Sequence, residues 1–105
     1  MIGPVDTAGF EASVLRAPAA VVDFWAPWCK PCDAIEPALV ALAADHDLPL
    51  VKVDIDATPG LASRYGVLSL PTVVLFVGGE ARETVFGTQR RERYERAFAP
   101  HLGGT

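Results

Sequence analysis

The chain has 105 residues, a formal net charge of −4 and an apolar fraction of 50%. This length fits one domain, which we assign to residues 1–105, and the apolar fraction is enough for a single buried core. The mild negative charge does not indicate a nucleic-acid partner, because such a partner would require a basic surface.

The N-terminal residues do not resemble a secretory signal, since residues 1–5 contain no lysine or arginine. The early apolar stretch at residues 17–22 is interrupted by Asp23, so it falls short of the roughly 18 apolar residues of a membrane span. We therefore expect a soluble, cytoplasmic protein that binds no membrane. A chain whose signal had been cleaved would show the same N-terminus.

Apolar runs alternate with helical patterns along the chain, which is typical of an α/β fold. The predicted elements are a strand at 2–5, a helix capped by Asp6, a strand at 19–26, a helix at 29–45, a strand at 48–55, a short helix from Thr58-Pro59 to Gly66, strands at 72–77 and 80–86, and a helix at 89–101. Gly78-Gly79 predicts a tight hairpin turn, and residues 103–105 look like a loose tail.

Only two cysteines are present, Cys29 and Cys32, and they lie where the strand at 19–26 gives way to a helix. A helix N-terminus has unpaired N–H groups and the positive end of the helix dipole, so it favours a thiolate. The thiolate is the species that attacks a disulfide. Cys29 at the helix tip is therefore the candidate attacker. Cys32, one turn further in and expected to be better buried, is the candidate resolving thiol, and Pro31 stiffens the spacer.

Two other interpretations of the cysteine pair carry less weight. The pair could form half of a zinc site, but tetrahedral zinc needs four ligands. Neither His46 nor His101 has ligand-like spacing to the pair, so we expect no metal. A purely structural disulfide would add little stability, because closing so short a loop removes little entropy from the unfolded chain.

The segment at residues 22–32, VDFWAPWCKPC, resembles the active site of the thioredoxin family, as a WCKPC variant of the usual WCGPC. The resemblance continues through Asp54-Ile55-Asp56, Tyr65-Gly66-Val67, Leu70-Pro71-Thr72 and residues 76–80, and so covers nearly the whole chain. It implies a thioredoxin fold with a central mixed five-stranded sheet flanked by four helices. It also implies a protein-disulfide reductase that acts as an electron carrier through a redox-active Cys29–Cys32 disulfide.

The resemblance assigns a role to Asp23, which falls at the family's buried acid. Burial should raise the pKa of a carboxyl within an apolar strand, and a raised pKa suits a proton acceptor for Cys32. Lys52 matches the family's buried lysine near that acid. The alternatives are a core acid satisfied by hydrogen bonds and a lysine that extends its amine to solvent.

Pro71 matches the family's cis-proline opposite the cysteines, although from the residues alone it reads as a proline at the start of a strand. In the family, the backbone of the preceding residue, here Leu70, pairs with the substrate segment. Trp28, Leu70 and Gly87 would then surround Cys29 as the substrate surface. For Trp28 the alternative is simple packing.

The resemblance further implies that disulfide-containing client proteins and a flavin- and NADPH-dependent thioredoxin reductase are the partners. No bound cofactor is expected, and we expect a monomer. Two alternatives stay open: a specialised relative that oxidises or serves one client, and a non-catalytic binding module with the same fold. The arginines of the last helix, interleaved with Glu92 and Glu95, are interpreted as a solvated face, not as a nucleic-acid site; they are Arg90, Arg91, Arg93 and Arg96.

Lys30 stands where the family usually has glycine, Asp33 where a basic residue is common, and Ser69 where glycine is common. A cation beside Cys29 favours the thiolate and the reduced form, which makes the couple more oxidising, whereas Asp33 opposes it. Lys30→Gly should therefore make the couple more reducing, by at most about 30 mV because exposure weakens the effect. The equilibrium with glutathione measures this, and an unchanged or more oxidising variant would refute the role of Lys30.

Overall fold

The protein is described by a computed structural model that covers residues 5–102. In chain order the elements are α1 (Thr7–Phe10), which runs into a π-helical segment (Glu11–Leu15), β1 (Ala19–Trp25), α2 (Lys30–Asp45), β2 (Leu50–Asp54), α3 (Pro59–Arg64), β3 (Thr72–Val77), β4 (Glu80–Phe86) and α4 (Arg91–Leu102). The predicted α/β order is confirmed from the first helix onward. The tail predicted at residues 103–105 lies outside the described residues.

The described residues form a mixed sheet of four strands in the order β2-β1-β3-β4, and the prediction of five strands is wrong for this part of the chain. The first two strands in that order run parallel and the other neighbours run antiparallel. The predicted strand at residues 2–5 lies outside the described residues except for Val5. The N–H of Val5 donates to the carbonyl of Lys52 at 3.1 Å, so the chain meets β2 at its outer edge.

The register of the strands brings four strand ends to one edge of the sheet. Phe24, near the end of β1, pairs with Thr72 at the start of β3, and Thr72 also pairs with Phe86 at the end of β4. Trp25 pairs with Asp54, so β1 and β2 end together. The segments that follow β1, β2 and β4, and the one that precedes β3, therefore meet at this edge.

Side chains alternate between the two faces of the sheet, and each face buries an apolar cluster. The cluster on the face covered by α2 and α4 consists of Val21, Ile35, Leu39, Leu42, Ala43, Leu50, Val73, Leu75, Val85, Tyr94 and Phe98. The cluster on the face covered by α1, the π-helical segment and α3 consists of Phe10, Val14, Ala20, Val22, Phe24, Val51, Val53, Leu61, Val74 and Phe76. Each fully buried large apolar side chain contributes about 1.5–3 kcal/mol, so both clusters hold the edge in place.

Two local predictions from the sequence are confirmed by backbone geometry. The Asp6 carboxylate accepts a hydrogen bond from the N–H of Gly9 at 2.8 Å and so caps α1. The hairpin between β3 and β4 turns through Gly78 and Gly79, both with positive φ. At Gly79 a Cβ would lie 2.8 Å from the carbonyl oxygen of Leu15, so this position requires glycine for space as well as for conformation.

The last helix begins at Arg91 and not at Gln89 as predicted, because the preceding turn is held by a side chain. The buried hydroxyl of Tyr94 donates to the carbonyl of Gly87 at 3.1 Å and accepts from the N–H of Gln89 at 3.3 Å. This one side chain ties α4 to the end of β4.

Tyr94→Phe should lower the free energy of unfolding by about 1–2 kcal/mol, because it leaves a carbonyl and an N–H at the turn without their partner. The matched control is Tyr65→Phe, on the other face, where the half-buried hydroxyl can bond to water and a smaller loss is expected. Urea unfolding of both variants measures the difference. Equal losses would show that the Tyr94 hydrogen bonds do not stabilise the turn.

Candidate active site

The two cysteines lie at the edge of the sheet where β1, β2 and β4 end and β3 begins. They occupy the turn that leads from β1 into α2. Cys29 has an extended backbone and occupies the cap position of α2, and Cys32 lies in the first helical turn. The N–H of Cys32 donates to the carbonyl of Cys29 at 3.2 Å, and the two residues are joined by a disulfide with their Cα atoms 5.4 Å apart. The predicted strand-to-helix junction is confirmed.

Both cysteines are buried, and the expectation that Cys32 is better buried is not met in the disulfide form. Cys29 is 4% exposed and Cys32 is 3% exposed. They share a small apolar cluster with Ala26, against which Trp25, Ile55 and Leu70 pack. The disulfide holds both sulfurs in this cluster, so position relative to α2, and not burial, distinguishes the two residues.

The loop before β3 packs against the cysteine cluster. The Leu70–Pro71 peptide bond is cis, and Leu70 packs against the cysteine cluster. The carbonyl of Pro71 accepts a hydrogen bond of 2.9 Å from the N–H of Gly87, which has a φ of 77°. The structure therefore brings Leu70, Pro71 and Gly87 together, with Leu70 against the cysteine cluster.

Trp28 lies on the surface beside Cys29 and is 65% exposed, so packing in the core does not account for it. Its indole N–H donates to the carboxylate of Asp56 at 2.8 Å. The interpretation of the sequence gave Asp56 no part in the site. The signal was available, because Asp56 follows β2 and the ends of two parallel strands lie at the same edge.

Asp23 is a buried acid in the middle of β1 and is only 1% exposed. Burial raises the pKa of its carboxyl from 3.8 to about 7; the charge of Lys52 opposes this rise and the charge of Glu36 adds to it. Within residues 5–102, its Oδ1 atom has no hydrogen-bond partner. No protein group in this range therefore satisfies that oxygen.

Lys52 lies next to Asp23 in the register of β1 and β2, but its amine bonds to a different carboxylate. The distance from Lys52 Nζ to Glu36 Oε1 is 2.6 Å, and the amine also lies 4.1 Å from the centre of the Trp25 ring. The Lys52 side chain is 14% exposed, so it does not extend freely into solvent. The sequence interpretation missed Glu36, although it follows Cys32 by four residues and so shares its helix face.

The other residues singled out from the sequence lie on the surface. Lys30 and Pro31 begin α2 and are exposed. Of the arginines near α4, Arg91 forms an ion pair with Asp45 at the end of α2.

In the part of the chain that the structure covers, no group of three or more histidine, cysteine or acidic side chains could hold a metal ion. The helices between residues 5 and 102 include none long and apolar enough to cross a membrane.

Asp23→Asn should change how stability depends on pH. The folded protein binds the Asp23 proton more tightly than the unfolded chain, so this group stabilises the fold at low pH, and its contribution is lost as the pH rises from about 4 to about 7. Asparagine carries no such charge. The stability of the variant relative to the parent should therefore increase across this range, by at most about 4 kcal/mol. Urea unfolding at a series of pH values measures it, and parallel stability curves would contradict the burial of a charged Asp23.

Comparison with known proteins agrees with this geometry. The family model described as Thioredoxin matches residues 2–99. Thioredoxin from Staphylococcus aureus is 38% identical over 100 residues, which cover 93% of this chain and 95% of that protein. The solved structure of a mutant thioredoxin from Halobacterium salinarum superimposes with a TM-score of 0.79 at 36% identity, covering 86% of this chain and 80% of the other.

The family match at residues 2–99 includes the sheet and the cysteine turn. The Cys29–Cys32 pair in its W-C-x-x-C setting provides the redox-active group. The chain therefore belongs to the thioredoxin family and is a thiol–disulfide oxidoreductase that acts as a protein-disulfide reductase.

Proposed function

We propose that Cys29 attacks the disulfides of client proteins and that Cys32 resolves the product. The Cys29 thiolate bonds to one client sulfur, and the other client sulfur leaves as a thiolate. The Cys32 thiolate then attacks Cys29, which releases the first client sulfur and forms the Cys29–Cys32 disulfide. Two electrons pass from the pair to the client. The observation that carries this order is that Cys29 caps α2 next to the exposed Trp28, whereas Cys32 lies inside the helix.

We propose that Asp23 accepts the proton of Cys32 before the second step. A thiol must lose its proton to attack, and a base works best when its pKa lies near the working pH. The pKa of Asp23, raised by burial to about 7, meets this condition. Its position on the face of the sheet that α2 covers supports transfer to a cysteine of that helix, directly or through water.

We propose that clients bind across the surface formed by Trp28, Leu70, Pro71 and Gly87. Within residues 5–102, the N–H and C=O of Leu70 bond to no other backbone group, so both are available to an extended client segment. Leu68, two residues earlier, is 96% exposed, and Phe86, next to Gly87, is 55% exposed. An exposed apolar surface of this kind suits protein clients better than a small molecule.

A flavin- and NADPH-dependent thioredoxin reductase would return the pair to its dithiol form, and the membership of the family supports this partner. We propose that the chain acts as one domain and as a monomer, with no cofactor other than its disulfide. A dithiol kept reduced by NADPH requires a reducing compartment, so we assign the protein to the cytoplasm.

Cys32→Ser should accumulate mixed disulfides between Cys29 and clients, since the resolving thiol is absent. Cys29→Ser should reduce insulin no faster than the assay without protein, because the attacking thiol is absent. Mass spectrometry of reaction mixtures detects the mixed disulfides, and insulin turbidity with NADPH and a reductase measures turnover.

The double variant Cys29→Ser/Cys32→Ser is the control and should form no mixed disulfide. If Cys29→Ser kept full activity, or if Cys32→Ser formed adducts no more readily than Cys29→Ser, the proposed order of attack would be wrong.

A further inference from the structure

The amine of Lys52 bonds to a carboxylate other than the one beside it in the sheet. Lys52 is the register partner of Asp23, and both side chains lie on the face that α2 covers. The amine is nevertheless 2.6 Å from Glu36 Oε1 and stacks on the Trp25 ring. Asp23 Oδ1 meanwhile has no hydrogen-bond partner within residues 5–102.

We infer that Glu36 is a positioning residue, which holds the Lys52 amine away from Asp23 and so leaves the Asp23 carboxyl free to exchange a proton with Cys32. The inference rests on the proposed role of Asp23. Glu36 acts through the amine of Lys52, to which it bonds.

The setting of the Glu36–Lys52 pair makes it stronger than a surface ion pair. The side chains of Lys52 and Glu36 are 14% and 33% exposed, so water screens their attraction only in part. The Trp25 ring covers the amine from another side, and Glu36 is fixed on α2 one turn after Cys32. A lysine released from this pair would have the adjacent Asp23 as its nearest acid in the sheet register.

Among residues 5–102, Lys52 is the cation whose charge favours the ionised form of Asp23. Lys52 faces it from β2, Glu36 from α2 and Tyr94 from α4, while its register partner on β3 is the apolar Val73. The charge of Lys52 lowers the pKa of Asp23, and that of Glu36 raises it. Loss of Glu36 should therefore lower the pKa of Asp23 through both effects.

The ¹³C chemical shift of the Asp23 carboxyl, followed against pH in the oxidised protein, tests the inference without interference from cysteine titration. Glu36→Gln keeps the shape of the side chain and removes its charge. It should lower the pKa of Asp23 by about one pH unit, because the released ammonium can then approach the carboxylate. The control is Asp33→Asn, which removes an exposed carboxylate from the same helix and should move the pKa much less.

A second background separates the action through Lys52 from the charge of Glu36 itself. In Lys52→Met no ammonium is present to be released, so adding Glu36→Gln should lower the pKa of Asp23 by less than half as much as it does in the parent. An unchanged or raised pKa in Glu36→Gln would overturn the inference. Equal shifts in both backgrounds would also overturn it, since Glu36 would then act by its own charge alone.

The rate at which Cys32 resolves a preformed mixed disulfide on Cys29 provides the functional measurement. In Glu36→Gln the acidic limb of its pH profile should move down with the pKa of Asp23. If the pKa of Asp23 falls as expected but the pH profile of the resolution rate does not move, the role proposed for Asp23 is wrong. The inference that Glu36 positions Lys52 would still be supported. The two proposals are therefore tested separately.

Discussion

The pairing of Phe24 with Thr72 across β1 and β3 is the constraint on which the rest of the site depends. Since these strands run antiparallel, the end of β1 that leads to the cysteines lies beside the start of β3 that follows Pro71. A slip of one residue would turn every side chain of β1 to the opposite face, so the two apolar clusters hold this register firmly. The disulfide and the cis-proline loop are thus brought together by the packing of the whole sheet.

The same register explains why a carboxyl is buried at some cost to stability. Asp23 takes a position on β1 between Val21 and Trp25, on the face that α2 covers, where an apolar residue would pack better. An unpaired buried carboxylate is unfavourable, and a lysine bonded directly to it would remove that penalty together with the raised pKa. In this protein the lysine is present but bonded to Glu36, so the fold retains an acid that can still change its protonation near neutral pH. Functional sites are where such local conflicts are expected.

Much of the fold could be predicted from local patterns. The boundaries of β3 and β4, the Asp6 cap and the Gly78-Gly79 turn follow from apolar runs, capping chemistry and glycine conformation, which depend on neighbouring residues. The errors concern long-range contacts. The start of α4 was predicted two residues early, because the Tyr94 hydroxyl holds the preceding turn. The near-equal burial of the two cysteines likewise arises from a cluster that includes Leu70, which is distant in the sequence.

The sequence by itself determined that the chemistry lies in Cys29 and Cys32, because a strand-to-helix junction and a two-residue spacer are local properties. The resemblance to a family pointed to Asp23, Lys52 and Pro71 but could not say which groups bond to one another. Only the tertiary structure decided that Lys52 bonds to Glu36, that Trp28 is anchored by Asp56, and that Gly87 closes on Pro71. Each of these contacts joins separate elements, and such pairings are set by how helices and strands pack, which no local pattern encodes.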